Sequence, residues 1–426
     1  MTRHIAVPLR LAVPLFLAAA CADRPGGVEP DRALRQSVLT TAALEQLGEA
    51  LFDDHNLSIN RNQACNACHF PEWGFTGPNE AINAGGAVYE GSIPGRFGNR
   101  KPPSSAYATQ SPVFTLLRNE GGLYVGGNFW DGRATGAKLG NPAADQAQGP
   151  FVNPAEQALR DPACVVFRVA NAAYAPEYIA IWGAAIATIV FPADMDALCG
   201  QEGGLIPLSA DNRAKVDTEY DNIARSIEAY EASPEVNTFS SKFDAWRKGQ
   251  ARLTRQEQEG FALFQGKAKC NRCHPSAGQQ PLFTDFTYDN LGVPPNPLNP
   301  ALLATGFVDL GLGGPEGAAP GEAQFGQMKV PTLRNVDRRP FPSAIKAYTH
   351  NGVFKSLEQV VHFYNTRDVL PTCPSASDPG FGVTCWPAPE VAVNVNREEL
   401  GNLGLTAAQE AALVAFLKTL SDGFTP

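Results

Sequence analysis

Two short cysteine–histidine motifs carry the clearest chemical signal in this chain. Both have the pattern C-x-x-C-H, and they supply Cys65, Cys68 and His69 in one copy and Cys270, Cys273 and His274 in the other. Two cysteines at this spacing can each form a thioether bond to a haem vinyl group, and the adjacent histidine then faces the iron as an axial ligand. The alternative is a redox disulfide or half of a zinc site beside an unrelated histidine. Because the motif occurs twice, each time with asparagine in its second position, we favour two covalently bound c-type haems.

The remaining cysteines point to an oxidising compartment. Nine cysteines less the four of the motifs leave Cys21, Cys164, Cys199, Cys373 and Cys385. If Cys21 is lipidated, proximity favours the disulfides 164–199 and 373–385, although four buried free thiols remain the alternative.

The first residues have the features of an export signal. Residues 1–20 combine Arg3 and Arg10 with an apolar stretch and small residues before Cys21, and the stretch is too short to span a membrane. The segment resembles a lipoprotein signal, except that Ala18 stands where leucine is preferred. We therefore expect a periplasmic protein and leave open a lipid anchor at Cys21.

The charge of the chain bears on its partners. The formal net charge is −9, and it becomes more negative once the two arginines of the signal are removed. This balance argues against a nucleic-acid partner and is compatible with the docking of a basic electron-carrier protein.

Helical periodicity identifies the elements that must position the motifs. It predicts helices over 39–52 and 406–420, a helix with an apolar stripe from Tyr220 to Tyr230, and a helix opened by a Thr254–Glu257 capping box before the second motif. Long irregular stretches, such as 74–128 and 284–330, separate the helices. We therefore predict a mainly α fold with little β structure.

The domain organisation follows from a degenerate repeat. Ala50-Leu51-Phe52 precedes the first motif as Ala262-Leu263-Phe264 precedes the second. The repeat predicts two cytochrome-c-like helical domains with long loops and one haem each, over 39–240 and 241–426. A flexible linker is expected over 21–38.

Several further motifs carry a resemblance to a known family. In chain order they are F-W-D-G-R-A at 129–134, Q-A-Q-G-P at 146–150, N-P-A-E at 153–156, K-V-P-T-L-R-N at 329–335 and H-N-G at 350–352. Together with two C-x-x-C-H motifs about 200 residues apart, this set resembles the bacterial di-haem cytochrome c peroxidase/MauG superfamily. The match covers essentially all of 39–420.

The resemblance implies a role for each matching position. His69 would be the proximal ligand of a peroxide-reacting N-terminal haem, and His274 that of an electron-transfer C-terminal haem. Trp130 would bridge the two haems, although it could equally be a core aromatic residue. Gln146 and Glu156 would lie in the distal pocket of the N-terminal haem. Glu156 would move a proton during peroxide cleavage, which a carboxylate in a desolvated pocket can do near neutral pH, unless it is a solvated loop acid.

This chain departs from the peroxidase pattern at two ligand positions. No histidine lies between His69 and His274, so the ligand that closes the N-terminal haem in resting peroxidases is absent, as in the MauG-like branch. Fourteen residues after His350, where peroxidases have the methionine ligand of the C-terminal haem, stands Tyr364, the residue type found in MauG. Helical spacing points Tyr364 inward and turns His362 away. Met328 and His350 remain alternative ligands. The family also holds a calcium ion between its domains, but the matching segment, 98–102, is altered here, which leaves calcium open.

Three functions compete. The first is reduction of hydrogen peroxide with electrons from a small cytochrome c or a cupredoxin. The second is MauG-like, peroxide-dependent oxidation of aromatic residues in a partner protein, which Tyr364 favours. The third is a non-enzymatic electron carrier, which would leave Glu156 without a purpose. The oligomeric state is left open, with a homodimer as one candidate.

Overall fold

Helices dominate the computed structural model, which describes residues 29–120 and 122–425. The α-helices are α1 (Glu29–Phe52), α2 (Glu80–Ala84), α3 (Pro142–Ala147), α4 (Gly149–Val152), α5 (Pro162–Ala170), α6 (Ala175–Trp182), α7 (Met195–Cys199), α8 (Ala210–Ala232), α9 (Lys242–Arg247), α10 (Arg255–Gln265), α11 (Pro300–Thr305), α12 (Leu357–Thr366) and α13 (Ala407–Lys418). The predicted mainly α fold is confirmed.

The β structure is limited to short pairs in the described ranges. Strands β1 (Thr115–Leu117) and β2 (Leu123–Val125) pair antiparallel, with Thr115 opposite Val125. Strands β3 (Tyr288–Asp289) and β4 (Met328–Lys329) also pair antiparallel, with Tyr288 opposite Lys329, whereas β5 (Thr372–Cys373) and β6 (Trp386–Pro387) pair parallel. These pairs tie loops together and form no extended sheet.

Two hydrophobic cores occupy the two halves of the chain. The buried residues of the first core lie between Leu47 and Val236, and those of the second lie between Phe243 and Leu420. Helix α8 contributes the stripe predicted from the sequence, with Ile223 and Ile227 buried. The cores fall on either side of the predicted boundary at 240/241, although residues from Thr41 onward cluster as one unit.

The sequence repeat corresponds to a repeated helix crossing. A Cβ atom added to Gly48 in α1 would lie 1.9 Å from the carbonyl oxygen of Ser226 in α8. A Cβ atom added to Gly260 in α10 would lie 1.9 Å from the carbonyl oxygen of Ala412 in α13. Each half therefore packs the helix before its motif closely against its last long helix, through a glycine three residues before the shared Leu-Phe.

Local signals define most helix ends. The Thr254–Glu257 capping box opens α10 as predicted, with the Glu257 amide donating to the Thr254 hydroxyl at 3.2 Å. Thr406 caps α13 in the same way. Helix α1 begins at Glu29, inside the segment 21–38 that was expected to be a linker. Pro30 lies in the first turn, where a missing N–H costs no hydrogen bond, so it starts this helix and does not break it.

Both predicted disulfides are confirmed. Cys164 pairs with Cys199 and Cys373 pairs with Cys385. The first bond joins α5 to α7, and the second lies where β5 pairs with β6. The proposed signal peptide over 1–20 and the lipid site at Cys21 lie outside the described residues. Among the helices that are described, none combines the length and the apolar character that crossing a bilayer requires.

Candidate active site

The two C-x-x-C-H motifs adopt the same local structure. Each begins in one 3-10 turn, Cys65–Ala67 in the first copy and Cys270–Arg272 in the second. The amide of the histidine then donates to the carbonyl of the first cysteine, at 3.0 Å for His69 and 2.9 Å for His274. The turn places both cysteines and the histidine along the wall of one cavity in each half.

The N-terminal cavity contains most of the residues expected around the peroxide-reacting haem. It has a volume of about 480 Å³, and its walls include Cys65, Cys68, His69, Gln146 and Glu156. Helices α3 and α8 and the loop after α4 supply the wall opposite the motif. The structure thus brings together the predicted distal residues and the predicted proximal histidine.

The C-terminal cavity contains the second motif. It has a volume of about 200 Å³ and is lined by Cys270, Cys273, His274, Tyr364 and Met328, among others. Its walls are mostly apolar, with α10, α12 and α13 contributing leucine, valine and phenylalanine side chains. Such a wall suits the hydrophobic faces of a porphyrin.

The orientation of both histidines fits an axial ligand of haem iron. The Nδ1 atom of His69 lies 3.1 Å from the carbonyl oxygen of Phe75, and that of His274 lies 2.7 Å from the carbonyl oxygen of Phe283. A proton on Nδ1 leaves Nε2 free to bind a metal. Burial lowers the pKa of His69 to about 4 and also lowers the pKa of His274, so both rings are neutral near pH 7.

The two carbonyl groups that orient the histidines come from residues with unusual backbone conformations. Phe75 has φ of 56° and Phe283 has φ of 53°. Positive φ is uncommon for residues other than glycine and marks positions that the surrounding structure holds in place. Both halves of the molecule therefore orient the motif histidine in the same way, through the carbonyl group of a phenylalanine with positive φ.

The motif cysteines are the ones without disulfide partners in the described chain. Burial raises the pKa of Cys68, Cys270 and Cys273 to about 12, so these thiols are not thiolates at neutral pH. Among the described residues, no group of three candidate metal ligands includes Cys65 or Cys68. Cys273 of the second motif lies in one such group, with Asp289 and Glu399 but without Cys270. The buried, neutral thiols of both motifs fit thioether attachment of haem.

Trp130 borders both cavities. Its indole N–H donates to the Lys101 carbonyl at 2.9 Å, and its own carbonyl accepts from the Lys329 amide at 2.8 Å. Its ring also meets the His350 ring edge-on, with 6.4 Å between centroids. Trp130 is thus buried between the two sites that the family resemblance assigns to the haems, and it is a packed core residue as well.

An ion-pair cluster fixes the loop that carries Trp130. The carboxylate of Asp131 is fully buried and accepts from Arg100 and Arg133, each at 2.6 Å. Arg100 also forms a two-point bond with Asp309, at 2.6 and 2.7 Å. Asp131 and Arg133 of the F-W-D-G-R-A motif are therefore ion-pair partners that hold this loop.

The segment 98–102 carries hydrogen-bond donors at two positions. Calcium requires several oxygen ligands, whereas the side chains of Arg100 and Lys101 are donors. Arg100 bonds the oxygens of Asp131 and Asp309, and the Lys101 ammonium bonds Thr76 and the Pro102 carbonyl. These four acceptors therefore have partners within the chain.

Glu156 is a cavity residue and not a solvated loop acid. Asn153 donates to its carboxylate at 2.9 Å and fixes its direction. Burial raises its pKa, while Arg133 and the bond from Asn153 oppose this rise. Arg133 is held in place over the Phe129 ring, 4.1 Å from the ring centre. The carboxyl group is thus desolvated and oriented, as a proton-transfer group requires.

Tyr364 and His362 lie on different faces of α12, as their spacing predicts. Tyr364 lines the C-terminal cavity, where burial and the nearby thiols of Cys273 and Cys270 raise its pKa. His362 instead bonds Glu410 of α13, at 3.0 Å. Met328 and His350, the two alternative ligands, also line the cavity, and the His350 Nε2 atom lies 3.4 Å from the Glu390 carboxylate.

A second buried acid lies on the wall of the N-terminal cavity and was not among the residues predicted from the sequence. Glu231, near the end of α8, is 3% exposed and lines the N-terminal cavity. Its position could have been found from the helical pattern, because Glu231 follows Ile223 and Ile227 at four-residue intervals. An acid that continues an apolar stripe is predicted to face the interior.

Comparison with known proteins agrees with this geometry. Residues 42–252 match the family model described as di-haem cytochrome c peroxidase. The methylamine utilization protein MauG of Paracoccus denitrificans is 35% identical over 392 residues, which cover 89% of each chain. The cytochrome c551 peroxidase of Nitrosomonas europaea is 27% identical over 354 residues, or 82% of this chain and 81% of that protein.

A solved structure supports the same assignment. A tyrosine-to-methionine variant of the di-haem peroxidase BthA from Burkholderia thailandensis superposes with a TM-score of 0.68 and 28% identity, covering 89% of this chain and 86% of that chain. Sequence, fold and site geometry therefore agree, and the chain belongs to the di-haem cytochrome c peroxidase and MauG family of haem oxidoreductases.

Proposed function

We propose that this protein reduces hydrogen peroxide in the N-terminal cavity, with electrons that enter through the C-terminal haem from a periplasmic donor. The observation that carries the proposal is the oriented, desolvated carboxyl of Glu156 in the same cavity as the first C-x-x-C-H motif. An electron carrier has no use for such a group. The donor class that fits an acidic protein is a small basic cytochrome c or a cupredoxin.

Two haems, attached through Cys65 and Cys68 and through Cys270 and Cys273, would supply the iron that binds peroxide and stores oxidising equivalents. His69 and His274 would hold the two irons, and the carbonyls of Phe75 and Phe283 fix the tautomer of each ring. Glu156 takes a proton from one peroxide oxygen and returns it to the other, which leaves as water. Gln146, on the same cavity wall, positions the peroxide by hydrogen bonding.

Trp130 provides the path between the two sites. It is buried, and it borders both cavities. Its indole is held at the N–H and at the backbone, so its position relative to both motifs is fixed. Electrons, or oxidising equivalents in the reverse direction, pass through this ring.

A MauG-like activity is the second candidate, and a specific observation favours it. Tyr364 lines the C-terminal cavity, and an anionic oxygen ligand would favour ferric and higher states of iron. Identity to MauG is also higher than to the peroxidase of Nitrosomonas europaea, at 35% against 27%. In this reading, two oxidising equivalents would be shared between the two sites that Trp130 borders, and electrons would be withdrawn from aromatic residues of a partner protein.

The cellular setting belongs to the same proposal. The two disulfides and the c-type motifs fit an exported, periplasmic protein. A lipid anchor at Cys21 and a homodimer remain hypotheses. We propose that calcium is not required, because the side chains of Arg100 and Lys101 supply donors and no cation ligands at two positions of the segment 98–102.

One experiment separates the candidate functions. Peroxide is added to the fully oxidised protein, with and without a reduced small cytochrome c, and the haem spectra and the consumption of peroxide are followed. Catalytic consumption that requires the reduced cytochrome supports peroxidase activity. A long-lived oxidised species in both haems without donor, with slow turnover, supports the MauG-like reading. No spectral change and no consumption would exclude both.

A further inference from the structure

The N-terminal cavity contains a group of buried acceptors that Glu156 and Gln146 do not explain. Three oxygen atoms on its walls have no hydrogen-bond partner in the described chain: Oε1 of Gln63, Oε1 of Gln157 and Oε2 of Glu231. All three residues are at least nine-tenths buried. Because buried polar atoms in proteins are normally paired, these oxygens mark positions on the cavity wall that can accept a hydrogen bond from a group inside the cavity.

Glu231 differs from the two amides because it can carry a proton. Burial, reinforced by Glu228, raises its pKa to about 8, so the carboxyl is largely protonated at neutral pH. A protonated carboxyl donates one hydrogen, which a pocket water or one of the orphan amide oxygens accepts. Glu231 thus holds a transferable proton at the wall of the cavity.

A route from solvent to this proton runs along α8. Glu228 lies one helical turn before Glu231 and is only half-buried, and its carboxylate accepts from the Asn141 amide at 3.3 Å. Residues three apart on a helix are neighbours on its surface. The two carboxyls are therefore neighbours along α8, with Glu228 partly exposed and Glu231 at the cavity wall.

The stoichiometry of peroxide reduction creates a need for such a route. Cleavage of hydrogen peroxide to one water leaves the protein oxidised by two electrons and takes up no net proton, because Glu156 only moves a proton between the peroxide oxygens. Return to the starting state consumes two electrons and two protons and releases the second water. A donor that supplies electrons alone leaves both protons to come from solvent.

We propose that Glu231 delivers these protons to the N-terminal cavity and is itself reprotonated through Glu228. The proposal rests on the peroxidase function proposed above. It assigns the two acids of the cavity to different halves of the reaction: Glu156 to cleavage of the peroxide bond and Glu231 to the proton uptake that accompanies reduction.

The test compares two rates in the holoenzyme and its Glu231→Gln variant. The first is the single reaction of peroxide with the fully oxidised protein, followed by stopped-flow absorption. The second is steady-state turnover with ferrocyanide, which donates electrons without protons. We expect Glu231→Gln to leave the first rate within about twofold of wild type and to slow turnover by about 10- to 100-fold. Glu231→Asp, which retains a carboxyl, should recover part of the turnover.

Two further variants serve as controls. Glu219→Gln removes another buried carboxyl of α8, one that bonds the Tyr178 hydroxyl at 2.5 Å and does not line the cavity, and it should change neither rate. Glu228→Gln changes the acid that is closer to solvent. It should slow turnover, though less than Glu231→Gln does, and leave the single reaction with peroxide unchanged. If Glu231→Gln does not fold, Glu228→Gln still tests the proposed route for protons.

The outcomes separate this inference from the proposed function. Equal turnover in wild type and Glu231→Gln, or equal slowing of both rates, would overturn the role of Glu231 while leaving the peroxidase function intact. A wild-type holoenzyme that does not consume peroxide would overturn the proposed function, and the role of Glu231 with it.

Discussion

At the scale of single residues, the arrangement around the two motif histidines depends on contacts that the motif does not contain. The spacing C-x-x-C-H predicts which residues face a haem. It does not predict that carbonyl oxygens six residues after His69 and nine residues after His274 hold their Nδ1 atoms. Those carbonyls belong to Phe75 and Phe283, whose left-handed backbone is set by tertiary packing. The residue type does not predict this backbone conformation, because phenylalanine disfavours positive φ.

Glu156→Gln is expected to slow the reaction with peroxide while both haems remain attached. The amide keeps the size of the side chain and can still bond Asn153, but it cannot take up a proton, so we expect a loss of about 10²- to 10⁴-fold. Stopped-flow mixing of the oxidised protein with peroxide measures this rate. Asn153→Ala is a useful companion, because it removes only the bond that directs Glu156 and should cost less. An undiminished rate in Glu156→Gln would remove Glu156 from the mechanism.

The pH dependence of the same rate provides a second test of Glu156. The carboxylate form accepts the proton, so the rate should fall as the pH is lowered through the pKa of Glu156. Burial raises this pKa above the usual glutamate value, and the fall should therefore begin at a higher pH than for an exposed glutamate. This acid limb should be missing in Glu156→Gln; a limb that persists would belong to another group.

Tyr364→Met is expected to raise the reduction potential of the C-terminal haem. A neutral thioether favours ferrous iron more than an anionic phenolate does. Redox titration of both proteins, followed by absorption, measures the change. His362→Met is the matched control, because that side chain lies on the other face of α12 and bonds Glu410. An unchanged potential in Tyr364→Met would identify Tyr364 as a packing residue and favour Met328 or His350 as the ligand.

At the scale of secondary structure, each half of the chain repeats one unit, a helix that leads into the haem motif and packs against a later helix. Gly48 and Gly260 occupy matching places in G-x-A-L-F segments, and both permit a close backbone crossing. The letters A-L-F predicted the repeat. The role of the glycine became clear only from the structure. From the sequence alone, a glycine inside a helix is expected to lower the stability of that helix.

Gly260→Ala is expected to destabilise the C-terminal half. Its methyl group would meet the Ala412 carbonyl oxygen, which belongs to the backbone of α13 and cannot rotate away. We expect a loss of about 1–3 kcal/mol, typical of overpacking, in the free energy of unfolding measured with urea. Gly204→Ala, in open space at an ordinary backbone conformation, should change it by less than about 0.5 kcal/mol. Identical unfolding curves for Gly260→Ala and Gly204→Ala would contradict the crossing.

The four longest helices of the described chain could be predicted, whereas the shorter helices and the loops that build the site could not. The capping box and the apolar periodicity predicted α10, α13 and the buried stripe of α8. The stretches 74–128 and 284–330 have no periodicity, and their order comes from contacts distant in sequence, such as Arg100 with Asp309. The start of α1 at Glu29 was missed because the segment carries few apolar residues at helical spacing.

At the scale of the whole molecule, the loops of each half complete the site of the other. Trp130, from the N-terminal half, receives a hydrogen bond from the Lys329 amide and lines the C-terminal cavity. The Ala318 amide, from the C-terminal half, donates to the Asp131 carbonyl at 3.0 Å. Trp130, the proposed bridge between the two sites, is thus held by both halves of the chain, which the order of motifs along the sequence did not reveal.

The positions of the histidines across the molecule lead to the last prediction. His55 is exposed and bonds the Asp53 carbonyl, His350 lines the C-terminal cavity, and His362 bonds Glu410. Of the histidines in the described chain, His69 is the one that lines the N-terminal cavity. Among the described residues, no second histidine is therefore placed to bind the N-terminal iron opposite His69.

The N-terminal haem should therefore be high-spin in the fully oxidised protein and should bind cyanide without prior reduction. Electron paramagnetic resonance of the ferric protein measures the spin state, and a cyanide titration followed by absorption measures access to the iron. Gln146 and Glu156, the residues predicted for the distal pocket, line this cavity, and neither is a strong ligand of ferric haem iron. Glu156→Gln should still bind cyanide, because ligand access does not depend on proton transfer between peroxide oxygens. Two low-spin signals, together with cyanide binding only after reduction, would mean that a side chain outside this cavity moves in to close the site, and the peroxide reaction would then require activation by the C-terminal haem.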